Sequence, residues 1–242
     1  MNRLFNKKVI WITGASRGIG AEIARKLAKT EAILALSART AQSFKSTKKE
    51  LAQFKNVFIF PCDVSIHEEV YEVYNKISDN LGNVDILLNN AGVAAFKPFD
   101  ELTVDDYNSM INTNLFGTFL ATKTVLPSMI KRKKGIILNI ISVAAKKTFK
   151  GSALYSASKA GVLAMSRSMR EDLREKGIKV IDIFPGATET ELWSEKSRSK
   201  YDWRMMKPDN LADIVVDVLQ KSMNDNFMIE EVIVRPQLGD LS

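Results

Sequence analysis

The chain has one cysteine, Cys62, and one histidine, His67, in 242 residues. A lone thiol excludes an internal disulfide framework and suits a reducing compartment. His67, in Ser65-Ile66-His67-Glu68-Glu69, has no clustered partner ligands, so no resident metal is expected. Prolines number only six and glycines twelve, and neither gathers into a linker or repeat. No apolar run approaches the roughly 20 residues of a membrane span. The run Val9-Ile10-Trp11-Ile12, after a basic start, is too short for a signal-peptide core, so the expected location is cytoplasmic. Charge of one sign is in modest excess, with 35 Lys and Arg against 28 Asp and Glu. The excess is scattered, and its densest run, Lys131-Arg132-Lys133-Lys134, reads as a solvated helix end whose dipole favours cations. Without interleaved aromatics, zinc spacing or a recognition helix, no nucleic-acid partner is expected; a basic surface instead draws in anionic cofactors and substrates.

What is present is alternation. Short apolar runs at Lys8–Thr13, Ile33–Ser37, Val57–Pro61, Ile86–Asn89, Ile136–Ile141, Lys179–Phe184 and Glu231–Arg235 read as strands. Between them lie helical stripes such as Ile19, Ile23 and Leu27. Strands that are apolar throughout are buried on both faces, as in a parallel sheet with right-handed helical crossovers. The fold class is therefore α/β, a single Rossmann-type doubly wound sheet of about seven strands spanning 1–242. Long helices are predicted around Asp105–Lys131 and Ser152–Glu175. Thr188 to Pro208, charged and carrying Trp193, Trp203, Met205 and Met206, fits neither pattern. It follows a strand end and reads as a flap over a ligand site.

Directly after the first strand stands Thr13-Gly14-Ala15-Ser16-Arg17-Gly18-Ile19-Gly20. Glycines permit a tight turn and close approach of backbone to a pyrophosphate, on which the following helix aims its free N–H groups. The spacing departs from the usual dinucleotide fingerprint, so its place between strand and helix carries the argument. The second strand ends Leu36-Ser37-Ala38-Arg39, with no carboxylate to hold a ribose 2′-hydroxyl. Arg39, Arg17 and Ser37 suit a 2′-phosphate, which points to NADP(H) rather than NAD; for Arg39 alone, a plain surface arginine is the alternative.

Tyr155-Ser156-Ala157-Ser158-Lys159 falls on a predicted helix, which puts Tyr155 and Lys159 on one face. Ser142 ends the preceding strand. A lysine cation at ~4 Å contributes up to about 4 kcal/mol at an effective dielectric of 20, or roughly three pKa units on the phenol. On that estimate the phenol titrates near working pH, where acid–base catalysis is most effective, and Ser142 donates to the substrate oxygen.

The glycine motif, Asn89-Asn90-Ala91-Gly92, Asn114, Ser142, Tyr155-x-x-x-Lys159 and Pro185-Gly186 occur in one order. Together they resemble the short-chain dehydrogenase/reductase family over essentially the whole chain. The resemblance implies that Tyr155 is the proton donor and that Lys159 lowers its pKa and binds the nicotinamide ribose. It implies that Ser142 orients the carbonyl and that Asn114 holds a water linking Lys159 to solvent. It also implies a cofactor site of Gly14, Ser16, Gly18, Ile19, Gly20, Asp63, Val64, Asn90, Ala91, Gly92, Pro185, Gly186, Thr188 and Thr190, beside the arginines and Ser37. In that site Asp63 meets the adenine amine, Thr190 meets the carboxamide, and Asn89 supports the sheet. Structural alternatives stay open: Asn89 pairing with strand-end backbone, Asp63 capping a helix, Thr190 sitting in a turn. A homodimer or homotetramer is implied.

The stretch from Asn224 to Pro236 lacks the glycine-rich segment of many relatives. With Ser37-Ala38-Arg39-Thr40, Ser142-Val143-Ala144-Ala145 and Thr190-Glu191-Leu192-Trp193, it looks most like the bacterial sepiapterin reductases. That likeness implies a small carbonyl or alcohol substrate, with Trp193 stacking on a flat bicycle; packing within the flap is its alternative. Reduction of a 3-oxoacyl thioester on a carrier protein and hydroxy-acid dehydrogenation are the competing enzyme readings. An NADP(H)-binding sensor or scaffold is the non-enzyme one, for which an intact Ser142, Tyr155, Lys159 and Asn114 would serve no purpose.

Overall fold

The computed structural model describes residues 5–241; Met1 to Leu4 and Ser242 lie outside the described residues. Seven parallel strands form one sheet in the order β3-β2-β1-β4-β5-β6-β7. They are β1 (Val9–Thr13), β2 (Ile33–Ser37), β3 (Val57–Ile59), β4 (Val84–Asn89), β5 (Gly135–Ile140), β6 (Ile178–Pro185) and β7 (Glu231–Val234). The helices are α1 (Gly18–Ala28), α2 (Lys45–Leu51), α3 (His67–Leu81), α4 (Val104–Met110), α5 (Gly117–Arg132), α6 (Ala153–Arg174), α7 (Glu195–Tyr201) and α8 (Pro208–Ser222).

Alternate residues of a strand face opposite ways, and here both ways are dry. Ile10 and Ile12 of β1 join a core with Ile23, Leu27 and Val215 of α1 and α8. Val9 and Trp11 join a second core with Val70, Val73, Val125 and Met129 of α3 and α5. The predicted strands are all present, β2 with its expected bounds and the others with one or both ends shifted by at most two residues. The four-residue basic run is indeed a helix end. Lys131 and Arg132 close α5, Lys133 takes the left-handed conformation, and Arg132 pairs with Asp85 at 3.0 Å.

The helix expected over Asp105–Lys131 runs unbroken from Val104 to Arg132, but its middle is not α-helical. Residues Ile111–Phe116 form a π-helical segment between α4 and α5. Wide turns of this kind are common at functional sites, and this one carries Asn114.

The two-sided core has one buried polar row. Asn89, Asn139 and Asp182 are register partners across β4, β5 and β6. Asn89 donates to Asn139 at 2.9 Å and to Thr122 at 3.0 Å, and Asn139 donates to Asp182 at 2.9 Å. From α6, Ser166 (2.6 Å) and Arg170 (2.6 Å) also bond to Asp182, which has no exposed surface. Thus Asn89 serves the sheet, and the row pins α6 to β5 and β6.

Candidate active site

β1 is flanked by β2 on one side and β4 on the other, so the chain reverses its winding there. In such sheets a crevice opens beyond the carboxyl ends of the strands. Here it is a cleft of about 690 Å³.

At one end the loop after β1 turns through Gly14 and Gly18, both at positive φ. A Cβ on Gly14 would lie 2.7 Å from Ala91 Cα, so only glycine lets the β1 and β4 loops meet. The N-terminus of α1 has no side-chain cap and no acid in its first turn. Its free N–H groups and dipole are thus left for an anion. Ser16, Arg17, Gly18 and Ile19 line this end, and Arg39, Asp63 and Val64 line the region beside it. Arg39 is largely exposed and sits 3.3 Å from Asp63, which holds the guanidinium at the mouth.

Two expected cofactor residues are not in the cleft wall. Ser37 is fully buried, and its hydroxyl accepts from the Trp11 indole at 2.9 Å. Gly20 packs beneath the loop, where a Cβ would collide with the Asn90 side chain and the Gly14 carbonyl. Asn90 lines the cleft, but its amide is spent on the carbonyls of Thr13 and Gly14, tying the two loops together.

At the other end, α6 brings Tyr155 and Lys159 to the cleft one turn apart, facing Ser142 just beyond β5. Ser142 accepts from Ala144 N at 3.1 Å, which orients its hydroxyl. Lys159 donates to the Ile140 carbonyl at 3.0 Å, with its nitrogen 5.9 Å from the centre of the Tyr155 ring. Burial lowers the Lys159 ammonium to about 8. Burial pushes the Tyr155 phenol up, opposed only by hydrogen bonding with Ser142. This differs from the expectation that the cation brings the phenol down. Both groups are dry, and desolvation favours the neutral form of each.

Asn114 accepts from Val93 N at 2.8 Å and donates to Val93 O and Ser158 Oγ, each at 2.9 Å. Its side chain therefore clamps the β4 loop to α6, and no side-chain donor is left over for a water. Thr190 lies across the cleft, where its methyl packs against Gly18. Pro185, Gly186 and Thr188 complete the floor, and Gly92 leaves room beside Lys159.

The flap is anchored at its base, where Thr188 bridges Met206 and Met206 N bonds to Ala187 O. Trp193, carried beyond that base, stacks on Phe96 with ring centres 5.1 Å apart and planes 17° apart. Phe96 in turn meets Tyr155 edge-on at 5.4 Å. Phe149, Leu192 and Asp240 finish this wall. One Asp240 oxygen pairs with Lys147 (3.2 Å) and Arg235 (3.1 Å), while Oδ1 is buried with no hydrogen-bond partner among the described residues. Sequence reasoning missed Phe96, Phe149 and Asp240, which belong to no motif; only the fold gathers them.

Among the described residues no cluster of His, Cys, Asp or Glu fits a metal, and no helix is long and apolar enough to cross a membrane. The short chain dehydrogenase family profile matches residues 8–201. A sepiapterin reductase of Chlorobaculum tepidum is 34% identical over 97% of this chain and 98% of its own length. An alcohol dehydrogenase from the archaeon Thermococcus sibiricus, solved with 5-hydroxy-NADP, shares 30% identity at a TM-score of 0.84, covering 97% of this chain and 99% of its own. An actinorhodin polyketide ketoreductase variant solved with NADPH shares 29% identity at a TM-score of 0.88 over the full length of both chains. Sequence match, fold and the grouping of Ser142, Tyr155 and Lys159 agree, and the chain belongs to the short-chain dehydrogenase family of oxidoreductases.

Proposed function

We propose that this chain is an NADPH-dependent reductase of a small flat ketone, with a pterin side-chain ketone as its best candidate. The carrying observation is the aromatic stack of Trp193 on Phe96 directly beside Tyr155. A planar bicycle that inserts between these rings exchanges one aromatic contact for two, with its side chain toward the phenol. The unpaired Oδ1 of Asp240 on the same wall suits a substrate edge rich in N–H donors.

NADP(H) fits the opposite end. The uncapped start of α1 suits the pyrophosphate, and Arg17 and Arg39 flank a site with no acid at the tip of β2. Bound there, the cofactor supplies the hydride. Ser142 hydrogen-bonds the carbonyl oxygen and Tyr155 gives it a proton as charge develops. Lys159, charged at neutral pH but lowered by its burial to about 8, is suited to restore the phenol proton. The exposed Val104, Tyr107, Phe116 and Phe119 on α4 and the following turns suit a homo-oligomer contact.

The test is NADPH oxidation at 340 nm with sepiapterin beside small diketones and an acetoacetyl thioester. Turnover of sepiapterin that is lost on Trp193→Ala supports the reading. Turnover confined to another carbonyl refutes the pterin assignment, and turnover of none refutes the reductase.

A further inference from the structure

The wall residue Phe96 sits on the loop between β4 and α4, beside a residue whose side chain makes its contact outside the cleft. The next residue, Lys97, reaches away from the cleft to Asp106 on the first turn of α4. Its ammonium lies 3.1 Å from Oδ1 and 2.8 Å from Oδ2 of that carboxylate. Asp106 is itself fixed. It accepts from Thr103 N at 2.9 Å and Thr103 Oγ1 at 3.0 Å, and its own N–H bonds back to Thr103 Oγ1 at 3.1 Å. This reciprocal capping box makes the carboxylate a rigid part of the helix start. The backbone of Lys97 is held independently, its N–H donating to Gly151 O at 3.0 Å.

The loop is therefore tied at three points: Val93 by Asn114, the Lys97 backbone by Gly151, and the Lys97 side chain by Asp106. Phe96 lies between the first and the last. With its neighbour drawn toward α4, the ring is turned the other way, onto Tyr155 and Trp193. Lys97 and Asp106 themselves are not part of the cleft wall. Both carboxylate oxygens are engaged, and Asp106 is already fixed by its capping box, so only the lysine side chain has to be ordered to form the pair.

We propose that Lys97 and Asp106 are positioning residues for substrate affinity, forming a strut from α4 that holds Phe96 against Tyr155 and Trp193. The substrate half of this statement rests on the reading of that wall as the ketone site.

The experiment uses the full chain with Lys97→Met, which keeps the stem and removes the ammonium, and Lys97→Arg, which restores a cation. The first readout needs no substrate. In a Trp203→Phe background, with Trp11 fully buried, acrylamide quenching reports chiefly on Trp193. Quenching is expected to rise in Lys97→Met and to return toward the parent in Lys97→Arg. The second readout is steady-state kinetics on whichever carbonyl is turned over. KM is expected to rise about two- to tenfold in Lys97→Met, the range for one displaced aromatic contact, with kcat and NADPH affinity held. In a Phe96→Ala background the same substitution is expected to change KM no further.

Unchanged quenching overturns the strut, whatever the substrate proves to be. Raised quenching with an unchanged KM overturns the link to substrate affinity. A KM effect that persists undiminished in Phe96→Ala overturns the route through Phe96. A protein with no carbonyl substrate fails the functional reading, while the quenching result still decides the strut.

Discussion

Lys159 carries a cost that its removal exposes. Its ammonium is buried, and its pKa falls from an ordinary 10.5 to about 8. At about 1.4 kcal/mol per pH unit, that is about 3 kcal/mol held against the folded state whenever the lysine is charged in both states. The sign follows from proton counting. Below about pH 8 folded and unfolded chains are both protonated, and the folded chain bears the full cost. Between about 8 and 10.5 the unfolded chain binds more proton, so stability rises with pH until the cost is gone. Lys159→Met removes the charge but leaves the Ile140 carbonyl without its 3.0 Å donor, a loss of about 1–3 kcal/mol. The difference at pH 7 is a gain of about 1 kcal/mol, or roughly 2–4 °C in Tm for a chain of this length. Near pH 10.5 only the lost hydrogen bond remains, and the variant becomes the less stable protein. Tyr155 stays neutral through most of this window because burial raises its phenol. Urea unfolding of both proteins at pH 7, 8.5 and 10 checks this, with equal m-values as the control. A stability difference that is constant with pH, or a parent more stable at pH 7, would refute the reasoning.

Three further outcomes are expected. Tyr155→Phe abolishes turnover while NADPH affinity, read by fluorescence titration, stays within about twofold, since the hydroxyl touches the reacting oxygen; retained turnover removes Tyr155 from its role. Arg39→Asp is expected to shift kcat/KM preference toward NADH by about ten- to a hundredfold, as an acid replaces the cation beside Asp63 that is proposed to meet the 2′-phosphate; unchanged selectivity counts against the 2′-phosphate assignment. Asp182→Ala strands the buried Arg170 and lowers the unfolding free energy by about 3–5 kcal/mol in urea titration, whereas a loss below about 1 kcal/mol shows that the row does not pin α6.

The sheet was legible because a parallel strand buried on both faces is continuously apolar, a pattern that no tertiary knowledge is needed to see. The π-helical widening at Ile111–Phe116 was not. Its wide turn is held by contacts with distant residues, Asn114 on Val93 and Leu115 against Gly161, and the local sequence still reads as a helix. The misplacement of Ser37 has a plainer cause. It shares a strand face with Ala35, opposite to Leu34 and Leu36, so its side chain turns toward the core that holds Trp11. Counting by twos along β2 would have found this. Motif reasoning treats a strand tip as free loop, and the alternation runs through to the last residue. Phe96 and Asp240 left no signal, since this cleft wall is drawn from loops that only folding brings together.

The electrostatics of Tyr155 and Lys159 are the more instructive case. Spacing alone put an ammonium beside a phenol, and a pairwise Coulomb estimate then brought the phenol toward neutrality. Burial works against that pairing: it lowers Lys159 to about 8, which leaves it charged at pH 7, and raises the phenol. The cavity walls that shelter a hydride transfer from water act on both partners, raising the acid and lowering the base. A neutral phenol at physiological pH is a proton donor and not a base.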